Sequence, residues 1–125
     1  MQFSESLKKN HQFQAVYRSG KSYANKYLVM YVMENGTGAN RLGISVSKKV
    51  GNSVVRHRIT RLVRESYRLQ EAMFNSGLDI VVVARKNAAS VGYKEVESAL
   101  LHLGRLHHVL LPKQAEGTDR AEVDL

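Results

Sequence analysis

The feature that most constrains the fold is a long amphipathic segment, residues 53–73, which follows Asn52 and precedes Gly77. Its apolar positions recur with spacings of four and three, the period of an α-helix. The apolar stripe consists of Val55, Ile59, Leu62, Ser66 and Leu69. A basic stripe on nearly the opposite side consists of His57, Arg61, Arg64 and Arg68, with Arg56 and Arg58 on the flanks. The segment is therefore predicted to pack on a core through one face and to expose a cationic one.

Four runs of residues around this helix have the character of β-strands. Residues 21–23, 27–33 and 41–47 precede the helix, and residues 80–84 follow it. Turn-forming residues at 34–38 separate the second and third runs, which predicts a hairpin between them. The last run is continuously apolar, which indicates a strand buried on both faces.

The run at 41–47 alternates in polarity. Apolar side chains at positions 42, 44 and 46 face one way, and Arg41, Gly43 and two serines face the other. A strand of this kind has one buried face and one polar face of small side chains. That second face is open to a ligand or to solvent.

Two shorter helices complete the predicted fold. One spans residues 10–18, with Asn10 as its cap and Gly20 just after its end. The other spans residues 90–110 and ends before Pro112. The order of helix, three strands, helix, strand and helix predicts an α+β class of fold, an α/β sandwich.

The chain of 125 residues has the length of one domain. We expect that domain to span residues 1–113, and residues 114–125 to form a flexible acidic tail, either solvated or shielding a basic surface. The absence of cysteine excludes disulfide scaffolds and thiolate metal sites. The longest apolar run is residues 27–33, too short to cross a membrane. We expect a cytoplasmic protein that does not bind membranes.

The charge of the chain is concentrated in one region. Nineteen Lys and Arg oppose eleven Asp and Glu, a net charge of +8. Eight of the nineteen basic residues lie between Arg41 and Arg68, where only Glu65 opposes them. Repulsion along one helix face destabilises the fold, and guanidinium groups bind phosphate oxygens in a bidentate manner. The pattern favours a polyanionic partner over a merely solvated surface.

The same region resembles a known signature. Residues 45–65, SVSKKVGNSVVRHRITRLVRE, are similar to the signature of the bacterial ribonuclease P protein subunit. Residues 7–17 resemble the N-terminal helix of that family, and residues 80–86 resemble its late strand. The usual Arg-Asn-Arg of the family is here Arg56-His57-Arg58. Histidine keeps a hydrogen-bonding side chain but is larger than asparagine.

The resemblance implies the protein cofactor of a ribozyme. In that family a large RNA with bound Mg²⁺ hydrolyses the phosphodiester bond that joins the 5′ leader to precursor tRNA, which releases the leader. The resemblance further implies a four-stranded sheet, a left-handed strand–helix–strand crossover, one protein per ribonuclease P RNA and no catalytic residue in the protein. The residues expected to bind the RNA subunit are Lys48, Lys49, Asn52, Arg56, His57, Arg58, Arg61 and Arg64, with Arg68 added from the helical wheel.

Phe13 and Tyr17 match aromatic positions that line the leader cleft in that family, and Tyr31 on the second predicted strand is a third candidate. Aromatic faces stack on unpaired bases with little sequence preference. The alternative is that Phe13 and Tyr17 anchor a short helix to the core. Tyr17 and Tyr31 favour the cleft because a hydroxyl group prefers a hydrated position.

Three other functions fit the sequence less well. A protein-only nuclease needs clustered carboxylates, and the acidic residues form no such motif. A DNA-binding helix usually belongs to an all-helical unit. A ribosomal-type structural RNA-binding protein without a role in cleavage remains the principal alternative.

Overall fold

The computed structural model describes residues 4–111, which form three α-helices and one five-stranded sheet in the order β1-β4-β5-β3-β2. The strands are β1 (Ser4–Ser6), β2 (Lys21–Ala24), β3 (Leu28–Glu34), β4 (Asn40–Ser45) and β5 (Leu78–Ala84). The helices are α1 (Asn10–Ser19), α2 (Ser53–Gln70) and α3 (Tyr93–Leu106). Short 3₁₀ turns at Glu71–Met73 and Lys86–Ser90 flank β5. The predicted α+β class and the order of its elements are confirmed, with one strand added at the start; the predicted acidic tail lies outside the described residues.

The sheet differs from the prediction in two respects. It has five strands rather than four, because β1 forms a parallel edge beside β4. Three residues are too few to show a strand period, so the sequence did not reveal β1. The predicted hairpin between residues 27–33 and 41–47 is wrong, because β5 lies between β3 and β4. A strand that is apolar on both faces is most stable at the centre of a sheet, where both faces are covered.

The connection from β4 through α2 to β5 joins two neighbouring parallel strands. β5 then pairs antiparallel with β3, and β3 pairs antiparallel with β2. The sheet is therefore mixed, with a parallel half around β4 and an antiparallel half around β3. The left-handed sense of the crossover stays a prediction of the resemblance.

The two faces of the sheet carry different layers. On one face α2 and α3 enclose the main core, in which Met30, Ile80 and Val82 are fully buried. On the other face α1 packs through Val16 onto Leu7 and Val81. Burial of this kind contributes roughly 25 cal/mol for each Å² of apolar surface removed from water. The single helix α1 leaves part of the second face half-exposed.

The face of α2 that packs on the core does not coincide with the apolar stripe predicted from the sequence. The residues of α2 that are fully buried are Ile59, Val63, Ser66 and Tyr67, whereas Leu69 is 54% exposed. With about 100° of rotation per residue, the buried face of α2 is rotated by roughly 65° around the helix axis from the apolar stripe predicted from the sequence. The Tyr67 hydroxyl explains the difference: it lies 2.9 Å from Ser4 Oγ and accepts a hydrogen bond from Asn40 Nδ2 at 3.2 Å.

Both shorter helices differ slightly from their predicted bounds. The cap of α1 is Lys9 rather than Asn10, and the Gln12 side chain accepts hydrogen bonds from the backbone N–H groups of Lys8 and Lys9. The predicted helix at 90–110 begins at Tyr93 and ends at Leu106. His108 has a left-handed φ of 58°, which turns the chain out of the helix.

Candidate nucleic-acid interface

The outer face of α2 carries exposed cationic and polar side chains. His57, Arg61 and Arg64 are exposed and form no hydrogen bond or ion pair within residues 4–111. Arg61 and Arg64 line a shallow depression of about 250 Å³ with Arg58, Leu62 and Glu65. The two guanidinium groups therefore keep all their donors for a partner.

Arg68 differs from its neighbours on this stripe. Its Nε donates to Glu65 Oε1 at 3.1 Å, and its Nη2 forms an ion pair with Glu65 Oε2. The hydrogen bonds from Arg68 lower the pKa of Glu65. The only acidic side chain of α2 is thus directed to Arg68, and Arg61 and Arg64 have no acidic partner in the part of the chain that the structure describes.

Arg56 and Arg58, on the flanks of the basic stripe, donate hydrogen bonds to backbone carbonyls of the protein. Arg58 Nη1 donates to the Val91 carbonyl at 2.9 Å and Nη2 to the Ala89 carbonyl at 2.5 Å. Arg56 Nε donates to the Gly51 carbonyl at 3.2 Å. Arg58 therefore fastens α2 to the segment that precedes α3. Sequence reasoning missed this role because the acceptors lie more than thirty residues away.

The loop before α2 presents two lysines. Val50 is buried and its N–H donates to the Ser47 carbonyl at 3.1 Å, so Lys48 and Lys49 project from an anchored turn. The Asn52 side chain accepts a hydrogen bond from the Val55 N–H at 3.0 Å, which caps α2. Asn52 thus orients the helix that carries the arginines.

A second basic group lies at the carboxyl ends of β4 and β5. Arg85 and Lys86 follow β5 directly and, with Lys49, line a cavity of about 370 Å³. Arg85 Nη1 is held by a hydrogen bond to the Asn25 carbonyl at 2.9 Å. The signal in the sequence was a basic pair directly after a strand, since the carboxyl ends of neighbouring parallel strands meet at one edge.

An aromatic row lies on the other face of the sheet, formed by Phe13 and Tyr17 of α1 and Tyr31 of β3. The ring centroids of Phe13 and Tyr17 are 6.4 Å apart, and those of Tyr17 and Tyr31 are 5.0 Å apart in an edge-on arrangement. All three residues are half-buried, and all pack against the cluster around Val16. The structure brings the three predicted aromatic residues together, and it gives them both a packing role and an accessible edge.

At the end of the same face of the sheet lies an ion pair between Arg41 and the buried carboxylate of Asp79. Asp79 is 1% exposed and accepts hydrogen bonds from Arg41 Nε at 2.7 Å, Arg41 Nη2 at 2.6 Å and Asn35 Nδ2 at 3.0 Å. Burial raises the pKa of Asp79, but these hydrogen bonds outweigh it, so the net pKa is lowered. Both oxygens of the carboxylate accept hydrogen bonds within the fold, so Asp79 is not available as a general acid or base.

Among residues 4–111 no three side chains of His, Asp or Glu converge where an ion could bind. Over the same residues, none of the helices has the length and hydropathy required to cross a bilayer.

Comparisons with known proteins agree with this arrangement. The family model of ribonuclease P matches residues 1–107. The ribonuclease P protein component of Lachnoclostridium phytofermentans is 64% identical over 107 residues, which cover 86% of this chain and 92% of that protein. The corresponding protein of Alkaliphilus metalliredigens is 54% identical over 105 residues, covering 84% and 95%.

Solved structures give the same result for the fold. The ribonuclease P protein of Staphylococcus aureus superposes with a TM-score of 0.78 at 36% identity, covering 85% of this chain and 97% of that one. The protein of Thermotoga maritima gives a TM-score of 0.74 at 35% identity, covering 81% and 96%.

The mixed sheet, the partner-free arginines and the aromatic row define a small α+β protein of the RNA-binding class. The relatives compared above are protein components of ribonuclease P. The chain belongs to the ribonuclease P protein family.

Proposed function

We propose that this chain binds the catalytic RNA of ribonuclease P through the outer face of α2 and binds the 5′ leader of precursor tRNA on the aromatic row. In that complex it assists the endonucleolytic removal of the leader that produces the mature 5′ end. One protein acts per RNA, in the cytoplasm. The observation that carries the proposal is that these two surfaces lie on opposite faces of the sheet, so two RNA segments can be bound at once.

The contact with the catalytic RNA is electrostatic. Arg61 and Arg64 have no partner among the described residues, and Lys48 and Lys49 extend the charge to the N-terminus of α2. Each phosphate contact releases condensed counterions, which makes the affinity strong and dependent on salt. Bidentate guanidinium groups add geometric selection for phosphate oxygens. Arg56, Arg58, His57 and Arg68 border this contact, and Asn52 supports it by capping the helix.

The contact with the leader relies on stacking. A ring face contributes about 1–3 kcal/mol for each unpaired base, with little preference for sequence. Three half-exposed rings in a row suit an unpaired strand better than a duplex, whose bases are already stacked. A subunit that must accept the leaders of many tRNAs needs such tolerance.

The hydrolysis itself is assigned to the partner RNA and to the Mg²⁺ that it binds. Among the described residues no three potential metal ligands converge. The carboxylate of Asp79 accepts hydrogen bonds from Arg41 and Asn35. In this proposal the described residues of the chain bind and orient the two RNAs, and no proton transfer is assigned to them.

Reconstitution tests the proposal. A bacterial ribonuclease P RNA at low Mg²⁺ concentration is assayed for leader removal with and without the full-length protein. We expect strong stimulation by the protein, and little stimulation by the Arg61→Ala/Arg64→Ala variant at the same concentration. Cleavage by the protein without RNA would contradict the assignment of hydrolysis to the RNA. Absence of stimulation, with ribosomal RNA as the species that co-purifies, would favour the ribosomal-type alternative.

A further inference from the structure

Gly43, in the middle of β4, lies directly under the ring of Phe13. A Cβ atom built on Gly43 would lie 2.6 Å from Cε1 and 2.7 Å from Cζ of Phe13, and 3.2 Å from Cβ of Leu7. Carbon atoms in favourable contact are about 3.5–4.0 Å apart. No side chain fits at position 43 while the Phe13 ring stays where it is.

The backbone of Gly43 does not itself require glycine. Within residues 4–111, the glycines with a left-handed φ are Gly36 and Gly77. Glycine in a strand interior weakens the strand and marks the close approach of another group. At Gly43 the approaching group is the ring of Phe13, since its two ring atoms are the nearest neighbours of the absent side chain.

The sheet register places this contact in the aromatic row. Gly43 is paired with Val81, and Val81 is paired with Tyr31 on the next strand. Phe13 over Gly43, Val16 against Val81 and Tyr17 against Tyr31 therefore follow one line across three strands. Because Val16 is fully buried, α1 cannot rise from the sheet without exposing core. The depth of the Phe13 ring is consequently set by the space above Gly43.

We propose that Gly43 is a positioning residue: its missing side chain lets the Phe13 ring lie close to β4, and this depth shapes the row on which the leader stacks. The inference rests on the proposed leader-binding role of that row. Gly43 acts through Phe13, whose ring atoms lie nearer to a Cβ at position 43 than Leu7 does. A methyl group at position 43 displaces the ring outward and interrupts the row at its β4 end.

The test compares precursor and mature tRNA in the reconstituted holoenzyme. The dissociation constant of mature tRNA divided by that of precursor tRNA measures the contribution of the leader contact. The affinity for the RNA subunit is measured separately. For Gly43→Ala we expect this ratio to fall about fivefold or more, the low end of one lost stacking contact. The affinity for the RNA subunit should not change, because α2 lies on the other face of the sheet. Gly38→Ala is the matched control, since a Cβ there meets nothing within 4 Å.

A double-mutant cycle with Phe13→Ala separates the two proposals. If Phe13→Ala leaves the ratio unchanged, the leader-binding role of the row is wrong. If Phe13→Ala lowers the ratio and a folded Gly43→Ala variant does not, the role of Gly43 is wrong. We expect Gly43→Ala to lower the ratio in the original background and to have no further effect beside Phe13→Ala. An equal loss in both backgrounds would show that Gly43 acts by some other route and overturn the inference.

If the single variant Gly43→Ala does not fold, the substitution is tested together with Phe13→Leu. Leucine at position 13 lacks the Cε1 and Cζ atoms that lie nearest to the new Cβ. The close contact left in Phe13→Leu/Gly43→Ala is the 3.2 Å approach to Leu7 Cβ, so this double variant needs a smaller adjustment to fold. Circular dichroism and urea unfolding check that it does. We expect this double variant to discriminate between the tRNAs as Phe13→Leu does. A further loss of discrimination would overturn the inference.

Discussion

Replacing Arg61 and Arg64 by alanine removes the two guanidinium groups of α2 that have no partner within residues 4–111. If each binds one phosphate, each contributes about 0.7–0.9 to the slope of log affinity against log salt concentration. The double variant should therefore have a slope shallower by about 1.4–1.8. Over a fourfold rise in salt, the original protein should lose roughly 7- to 12-fold more affinity than the variant.

The assay is a filter-binding titration of the ribonuclease P RNA at several salt concentrations. Lys94→Ala/Arg105→Ala is the matched control, because it also removes two exposed positive charges but from α3. This control should keep the original slope, which separates local phosphate contacts from the net charge of the chain. An Arg61→Ala/Arg64→Ala variant with the original slope would refute the reasoning, as would a control whose slope falls by the same amount.

Three further predictions concern other parts of the fold. Tyr17→Ala should weaken binding of precursor tRNA to the holoenzyme and leave mature tRNA binding nearly unchanged, as measured by equilibrium titration. Asp79→Asn should cost about 1–3 kcal/mol in urea unfolding at neutral pH, because the partly exposed Arg41 loses its charged hydrogen-bond partner. Burial lowers the pKa of His107, although its hydrogen bond to the Met30 carbonyl opposes this, so the neutral ring favours the folded state. Stability should decline as pH falls below the ordinary histidine value of about 6.5, and His107→Gln should flatten that decline.

The pH dependence checks two of these predictions. Because the folded-state pKa of Asp79 is lowered, its contribution is complete above the ordinary aspartate pKa and is lost as pH falls through the lower folded value. The unfolding curves of the original protein and of Asp79→Asn should therefore converge in strong acid; a constant gap would contradict the ion-pair account. For His107→Gln, a decline identical to that of the original protein would contradict the role of the buried imidazole. Equal losses for precursor and mature tRNA would contradict the prediction for Tyr17.

Local periodicity predicted which segments form helices and strands, but not which strands pair. The run at 27–33 and the run at 41–47 are close in sequence, and the turn between them suggested a hairpin. β5, more than thirty residues later, takes the place between them because its two apolar faces need cover on both sides. Pairing is decided by burial over the whole sheet, which no local window contains.

The candidate site shows the same division. The cationic stripe of α2 and the aromatic residues at helical spacing on α1 were visible in the sequence. Arg58 was grouped with the free arginines, although its guanidinium holds the carbonyls of Ala89 and Val91. The pairing of Arg68 with Glu65 was equally hidden, because a helical wheel places side chains on a face without indicating which neighbours they contact.

By itself the sequence determined that a helix with one cationic face would pack on a sheet, since spacing and charge follow from residue types alone. The resemblance of residues 45–65 then indicated the family. Only the tertiary structure decided that the arginines and the aromatic rings lie on opposite faces of the sheet, and that Gly43 leaves room for Phe13. These facts depend on strand register and on the side of the sheet that each helix covers. Both are set by long-range packing between residues that are far apart in the chain.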